Sequence, residues 1–143
     1  MTLDLPQVRL IRQRIRKISR CDIFADDPLL GSSMGPYGVV AQTFCLDDLT
    51  QDKREWFHLN QKLANLVGKD GLFITVTLLN ASYWTLPGAT YPAVTLTPAD
   101  IVSMYSELGF SIIYNEVIDG LKGKIGYDGF IMTCGKRTEI PRS

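Results

Sequence analysis

Apolar positions recur along the chain at two spacings, and these divide it into elements. Between Pro6 and Lys17, Val8, Ile11 and Ile15 stand three and four residues apart, the period of one helix face. Ile18 to Phe24 (ISRCDIF) alternates and predicts a strand. Asp26 to Pro36 is dense in Gly, Pro, Ser and Asp and predicts a loop. Gly38 to Phe44 is a short apolar run ending in Gln42-Thr43, the pattern of a buried strand. Thr50 to Val67 carries Trp56, Leu59, Leu63, Leu66 and Val67 on one stripe, with Gly68 as the expected helix stop.

The second half is patterned as clearly. Leu72 to Leu79 (LFITVTLL) is apolar and β-branched on both faces, as a central strand covered by helices on both sides would be. Tyr83–Leu86 and Tyr91–Leu96 flank Pro87-Gly88 and predict a hairpin. Thr97-Pro98-Ala99-Asp100 opens a helix: Thr97 at the N-cap, Pro98 at the first position, an acid near the positive end. Ile101, Met104, Tyr105 and Leu108 form its buried stripe, and Gly109 ends it. Phe110–Ile118 and Phe130–Cys134 predict two more strands. Strands alternating with helices predict an α/β layered domain with a mainly parallel sheet. Ligands of such sheets sit beyond the strands' carboxyl ends. Three ends here are polar: Asp22, Gln42-Thr43 with Asp47-Asp48, and Thr77 with Asn80.

Composition narrows the function classes. The 143 residues suit a single domain (1–143), and a 45% hydrophobic content can fill its core. Fifteen basic and fifteen acidic residues cancel, which points away from nucleic-acid and anionic-membrane partners. The cluster Arg9, Arg12, Arg14, Arg16, Lys17 and Arg20 reads as a solvated helix face. No signal-like or membrane-length apolar run is present, so a cytoplasmic protein is expected. Cys21, Cys45 and Cys134 lie far apart in apolar runs and read as reduced core thiols. No metal site is expected: Asp26-Asp27 and Asp47-Asp48 are adjacent loop acids of the kind water commonly solvates. His58 is the only histidine, and no nucleophile–base triad can be built on it, so the catalytic residue stays unassigned.

Several stretches, in order, resemble one family. They are Arg16–Ile23 (RKISRCDI), Thr43–Asp47 (TFCLD), Gly68–Phe73 (GKDGLF), Ser82-Tyr83-Trp84, and the tail from Gly109-Phe110 to Lys136-Arg137. The chain resembles, from about residue 8 to 137, the S-adenosylmethionine-dependent family of nicotinamide, phenylethanolamine and indolethylamine N-methyltransferases. The resemblance implies a partial Rossmann-like fold: strands three to seven of a sheet ordered 3-2-1-4-5-7-6, helices on both faces, without the first two strands and the glycine-rich turn. It implies S-adenosyl-L-methionine as cofactor, with Asp22 and Ile23 holding the adenine and Thr43 and Cys45 beside it. It implies substrate contacts at Thr77, Ser82, Tyr83 and Trp84, and transfer of a methyl group to an amine or heteroaromatic nitrogen in an active form that needs the missing amino-terminal half. Thr77 stands where the nicotinamide enzyme has an acid, which argues against nicotinamide and against a strongly basic acceptor. Tyr83, Trp84 and Tyr91 either line an aromatic pocket or pack under the hairpin. Weak or absent cofactor binding is expected without the glycine turn. Residues 38–44 would be an exposed edge strand, to be paired by a second copy, by a complementary methyltransferase half, or by the third strand moving across. The alternative function is a truncated, non-catalytic methyltransferase-like module that binds or regulates through that edge.

Overall fold

The computed structural model describes residues 6–32, 35–120 and 125–139. The chain forms two compact units, Met1–Ser33 and Met34–Ser143. In the first, α1 spans Pro6–Arg14 and buries none of its residues; Leu10, Ile11 and Ile15 are all more than half exposed. It stops short of the expected Lys17.

The strand expected at residues 18–24 does not form, and Ile18 is 89% exposed. Local turns use the backbone groups there: the Asp22 N–H donates to the Pro28 carbonyl (2.9 Å) and the Ala25 N–H to the Asp22 carbonyl (3.2 Å). Alternation fits a residue to a pleat, but a strand also needs a neighbour to satisfy its donors and acceptors. In the loop that follows, the Asp27 carboxylate accepts from the Leu29 and Gly31 N–H groups.

The second unit is built on a four-stranded sheet. Its strands are β1 (Tyr37–Thr43), β2 (Val67–Leu79), β5 (Phe110–Asp119) and β6 (Gly129–Arg137), in spatial order β1-β2-β6-β5. This is the 4-5-7-6 portion of the expected order. The β1–β2 ladder is parallel, and β6 runs antiparallel to both neighbours. Three strands therefore point one way with a reversed strand between them, so only one ladder is parallel. The nine residues between β5 and β6 hold no helix among those described and are too few for a parallel crossover.

Helix α2 (Lys53–Ala64) begins where the Asp52 carboxylate accepts from the Arg54 and Glu55 N–H groups. It ends at Asn65, three residues before the expected glycine, because Val67 already pairs with Tyr37. Gly68–Gly71 instead form an excursion within β2: the register jumps from Tyr37↔Val67 to Val39↔Leu72. Asp70 takes a positive φ of 58°, and a Cβ at Gly71 would lie 2.7 Å from Val67. Helix α3 (Pro98–Glu107) starts as the sequence predicts, with a capping box between Thr97 and Asp100, and Gly109 follows it at φ 80°. Lys53 and Asp100 join the starts of α2 and α3 at 2.8 Å.

Within this unit both helices lie on the same sheet face. Phe73, Thr75 and Thr77 of β2 and Ile131 and Thr133 of β6 point to that face and are fully buried. The Tyr105 hydroxyl of α3 lies 3.1 Å from the Thr75 hydroxyl and from the Phe73 and Thr133 carbonyls. Holding one proton, it donates to one carbonyl and accepts from Thr75, so a buried phenol is satisfied without charge. Arg137, 4% exposed, donates to the Ala64 carbonyl at the α2 C-terminus and to the Glu139 carbonyl, and stacks on Phe110. A cation there complements the helix dipole. The opposite sheet face displays Val39, Tyr114 and Met132, exposed at 54%, 47% and 37%, beside half-buried Ile74, Val76 and Cys134. Cys21 and Cys45 are exposed, so the cysteines are not core thiols. No described helix is long and apolar enough to cross a membrane.

Candidate active site

The carboxyl ends of the parallel pair β1 and β2 open on a cavity of about 400 Å³ lined by Phe44, Asp47, Asp48, Leu78, Trp84, Tyr127 and Phe130. Its first wall is made by a backbone reversal. Phe44, just past β1, has a φ of 54°, unfavourable for a bulky side chain, and its N–H still donates to the Val76 carbonyl. Its ring then meets Phe130 with centroids 5.3 Å apart. The opposite wall comes from the hairpin of β3 (Tyr83–Leu86) and β4 (Ala89–Pro92), turned at Pro87-Gly88 with Gly88 at φ 84°. Trp84 stacks on its cross-strand partner Tyr91 at 4.7 Å, which fixes the indole in place. Tyr127 and Phe130 close the third side, 5.7 Å apart.

The polar groups are two adjacent acids that behave differently. Asp47 is 1% exposed. Its Oδ2 accepts the Leu78 N–H at 2.8 Å, and its backbone carbonyl accepts the Val94 N–H at 2.8 Å. Its Oδ1 has no partner within hydrogen-bonding distance among the described residues, and the buried Trp56 indole N–H is likewise without a close acceptor. Burial dominates the chemistry of this carboxyl and pushes it up to about 6; the Leu78 N–H and the nearby Trp56 indole, which lies beyond hydrogen-bonding distance, oppose the rise, and the Asp48 charge adds to it. Asp48 is half-buried at the cavity wall, and among the described residues no hydrogen bond or ion pair holds its carboxylate.

Of the residues that the family resemblance assigns to the site, Trp84 alone lines this cavity; Asp47 and Asp48, expected beyond the strand end, line it too. Thr43 and Cys45 flank Phe44 at the end of β1, both exposed, and the Cys45 thiol points to the Thr43 carbonyl at 3.3 Å. Thr77 is fully buried on the helix-covered face with its hydroxyl unpartnered, so it does not reach the cavity. Strand alternation places the next residue, Leu78, on the cavity side. Ser82 donates to the Gly126 carbonyl at 3.4 Å, and Tyr83, 41% exposed, packs against Gly126. Tyr91 supports Trp84 from behind. Asp22 and Ile23 belong to the first unit; the Asp22 Oδ1 accepts the Phe24 N–H at 3.0 Å and the carboxylate is exposed. In kind, an exposed carboxylate can accept from an exocyclic amino group; in the second unit, the exposed Thr43 hydroxyl can bond a ribose hydroxyl.

Phe44, Tyr127 and Phe130 escaped sequence reasoning because an aromatic residue beside a strand reads as core. The signal available for Asp47 and Asp48 was their place beyond a predicted strand end. The missing acid at Thr77 suggested a site without a counter-ion; the structure supplies carboxylates from the end of β1 instead.

Residues 6–135 match the model of the NNMT/PNMT/TEMT family. Human nicotinamide N-methyltransferase is 24% identical over 108 residues, covering 76% of this chain and 41% of that protein. The chain thus spans less than half the length of this relative. Among solved structures, a S-adenosylmethionine-dependent methyltransferase from Clostridium acetobutylicum superposes with a TM-score of 0.61 at 8% identity, over 93% of this chain and 70% of that one. The 1,6-didemethyltoxoflavin-N1-methyltransferase of Burkholderia thailandensis, solved with its substrate and S-adenosylhomocysteine, superposes with a TM-score of 0.58 at 14% identity, over 96% and 59%. These likenesses establish a methyltransferase-type Rossmann-like sheet. With the family match spanning nearly the whole sequence, the chain belongs to the NNMT/PNMT/TEMT family.

Proposed function

We propose that this chain carries the acceptor side of a S-adenosylmethionine-dependent small-molecule methyltransferase acting on an amine or heteroaromatic nitrogen. The observation that carries the reading is the cavity beyond β1 and β2, walled by Phe44, Trp84, Tyr127 and Phe130 and bordered by two carboxylates. Flat aromatic walls suit a planar or cationic acceptor. When bound, the cofactor supplies an electrophilic methyl group that needs only an aligned nucleophile. The chain's own residues therefore act by orientation and by excluding water, with Trp84 and Phe44 as fixed walls. Asp22 and Ile23 are assigned to the adenine, and Thr43 and Cys45 to the cofactor edge at the end of β1. Ser82 and Tyr83 hold the hairpin against the loop at Gly126 rather than touching the acceptor.

A second reading is favoured by one feature, the outer edge of β1. Among the described residues no strand pairs with it, and Val39 on it is 54% exposed. In that reading the chain is a non-catalytic module whose residues 38–44 take a strand from a second copy or a complementary methyltransferase half. Calorimetric titration of S-adenosylmethionine into the 143-residue chain separates the two. Binding at micromolar strength, lost in Asp22→Ala, is expected from the enzymatic reading. No heat up to millimolar cofactor would mean that the chain alone is not a methyltransferase and leaves the edge-binding module.

A further inference from the structure

The two adjacent aspartates face one cavity in different ways. Asp47 is turned inward. It binds the end of β2 through the Leu78 N–H and the segment after β4 through the Val94 N–H, and lies under Trp56 of α2. Each bond fixes a piece of cavity wall: Leu78 lines it directly, and the segment at Val94 follows the hairpin that carries Trp84. Asp48 is the less buried of the two. It is half-buried, stands among four aromatic rings, and has no protein partner among the described residues. Among the described residues no lysine, arginine or histidine lines the cavity. A half-buried carboxylate beside aromatic faces has the chemistry of a site for a cation.

We propose that Asp48 is the specificity-determining residue: its carboxylate meets the positive charge of an amine acceptor that binds as the ammonium and gives its proton to water before the nitrogen attacks, while Asp47 is a positioning residue that holds the wall and does not touch the ligand. The inference rests on the methyltransferase reading for the identity of its ligand as an acceptor, but its geometry stands on the cavity alone. It restores to the site the counter-ion that Thr77 lacks, from a neighbouring strand end.

The test uses two probes of one shape and different charge, benzylamine (protonated at neutral pH) and benzyl alcohol, titrated into the full chain without cofactor. The Trp84 indole N–H resonance reports binding. Benzylamine should bind about tenfold more tightly than benzyl alcohol. Asp48→Asn should remove that preference by weakening benzylamine alone, and Asp48→Glu should restore part of it. Asp47→Asn should keep the preference. The Leu78 amide resonance should follow the Asp47 ionisation, near pH 6, in the native chain and lose that dependence in the variant. A preference that survives Asp48→Asn, or that vanishes only in Asp47→Asn, overturns the proposal. So does the absence of any preference in the native chain. If Asp47→Asn does not fold, the Asp48 pair of variants still decides the point. A charge preference without S-adenosylmethionine binding would sink the methyltransferase reading and spare this one; cofactor binding without a charge preference would do the reverse.

Discussion

Two segments of this chain look alike in sequence and end differently. Ile18–Phe24 and Gly38–Phe44 are both short apolar-rich runs accompanied by a cysteine and an aspartate, within the first run and just beyond the second. The first becomes turns, with Ile18 89% exposed and Asp22 in water. The second becomes β1, and the aspartate beyond it, Asp47, is 1% exposed and bonded to two other segments. The difference lies in the neighbour. From Val39 to Thr43, β1 runs in register beside Leu72–Val76 of β2, which is held in turn by β6. A strand is a property of a ladder, and composition states only which runs can join one.

The sharpest way to break the comparison is to remove the support of the second segment. Phe73 pairs with Val40, is fully buried, and contacts the rings of Tyr105 and Phe110. Phe73→Ala should cost about 3–5 kcal/mol, lost transfer energy plus an unfilled cavity. Ile18→Ala, an apolar truncation in the first segment, should cost less than about 0.5 kcal/mol. Denaturant melts of the two variants measure both. Equal losses would mean that residues 18–24 are packed in solution.

The same contrast explains what was legible. Helix α3 could be read almost to the residue because its signals are local: Thr97 and Asp100 cap it, Pro98 opens it and Gly109 closes it. The four sheet strands could be read from their apolar runs, and the crevice from its place beyond them. The end of α2 could not, since Val67 leaves the helix to pair with Tyr37, a partner far away in sequence. The cavity walls were hidden for a similar reason. The wall made by Phe44 depends on a left-handed φ that no glycine announces, and Phe130 reaches it from the last strand. Thr77 was assigned to the ligand by position, yet strand alternation gives that place to Leu78.

A second prediction probes the cost of burying Asp47. Its carboxyl is raised to about 6 by burial, above the ordinary value it regains on unfolding. The folded chain therefore holds this proton more firmly than the unfolded chain. The resulting contribution is fully present below about pH 4 and is lost as pH rises through 6. A shift of about two units corresponds to about 3 kcal/mol at most. Asp47→Asn keeps an acceptor for the Leu78 N–H and removes the ionisation. Relative to that variant, the native chain should lose about 2 kcal/mol between pH 4 and pH 8, read from denaturant midpoints across the range. Parallel pH profiles would mean that Asp47 ionises in the fold without penalty.

The smallest expected effect sharpens the comparison most. Among the described residues the Asp22 side chain makes one exposed hydrogen bond, to the Phe24 N–H, which an alanine would return to water. Asp22→Ala should change stability by less than about 0.5 kcal/mol. That near-zero value gives the substitution its use as a binding control, because a lost cofactor signal in a variant of native stability reports on the ligand and not on the fold. A loss above about 1.5 kcal/mol would point elsewhere. It would mean that Asp22 is held by a partner strand in solution, that residues 18–24 do form the family's third strand, and that the two segments differ less than their structures suggest.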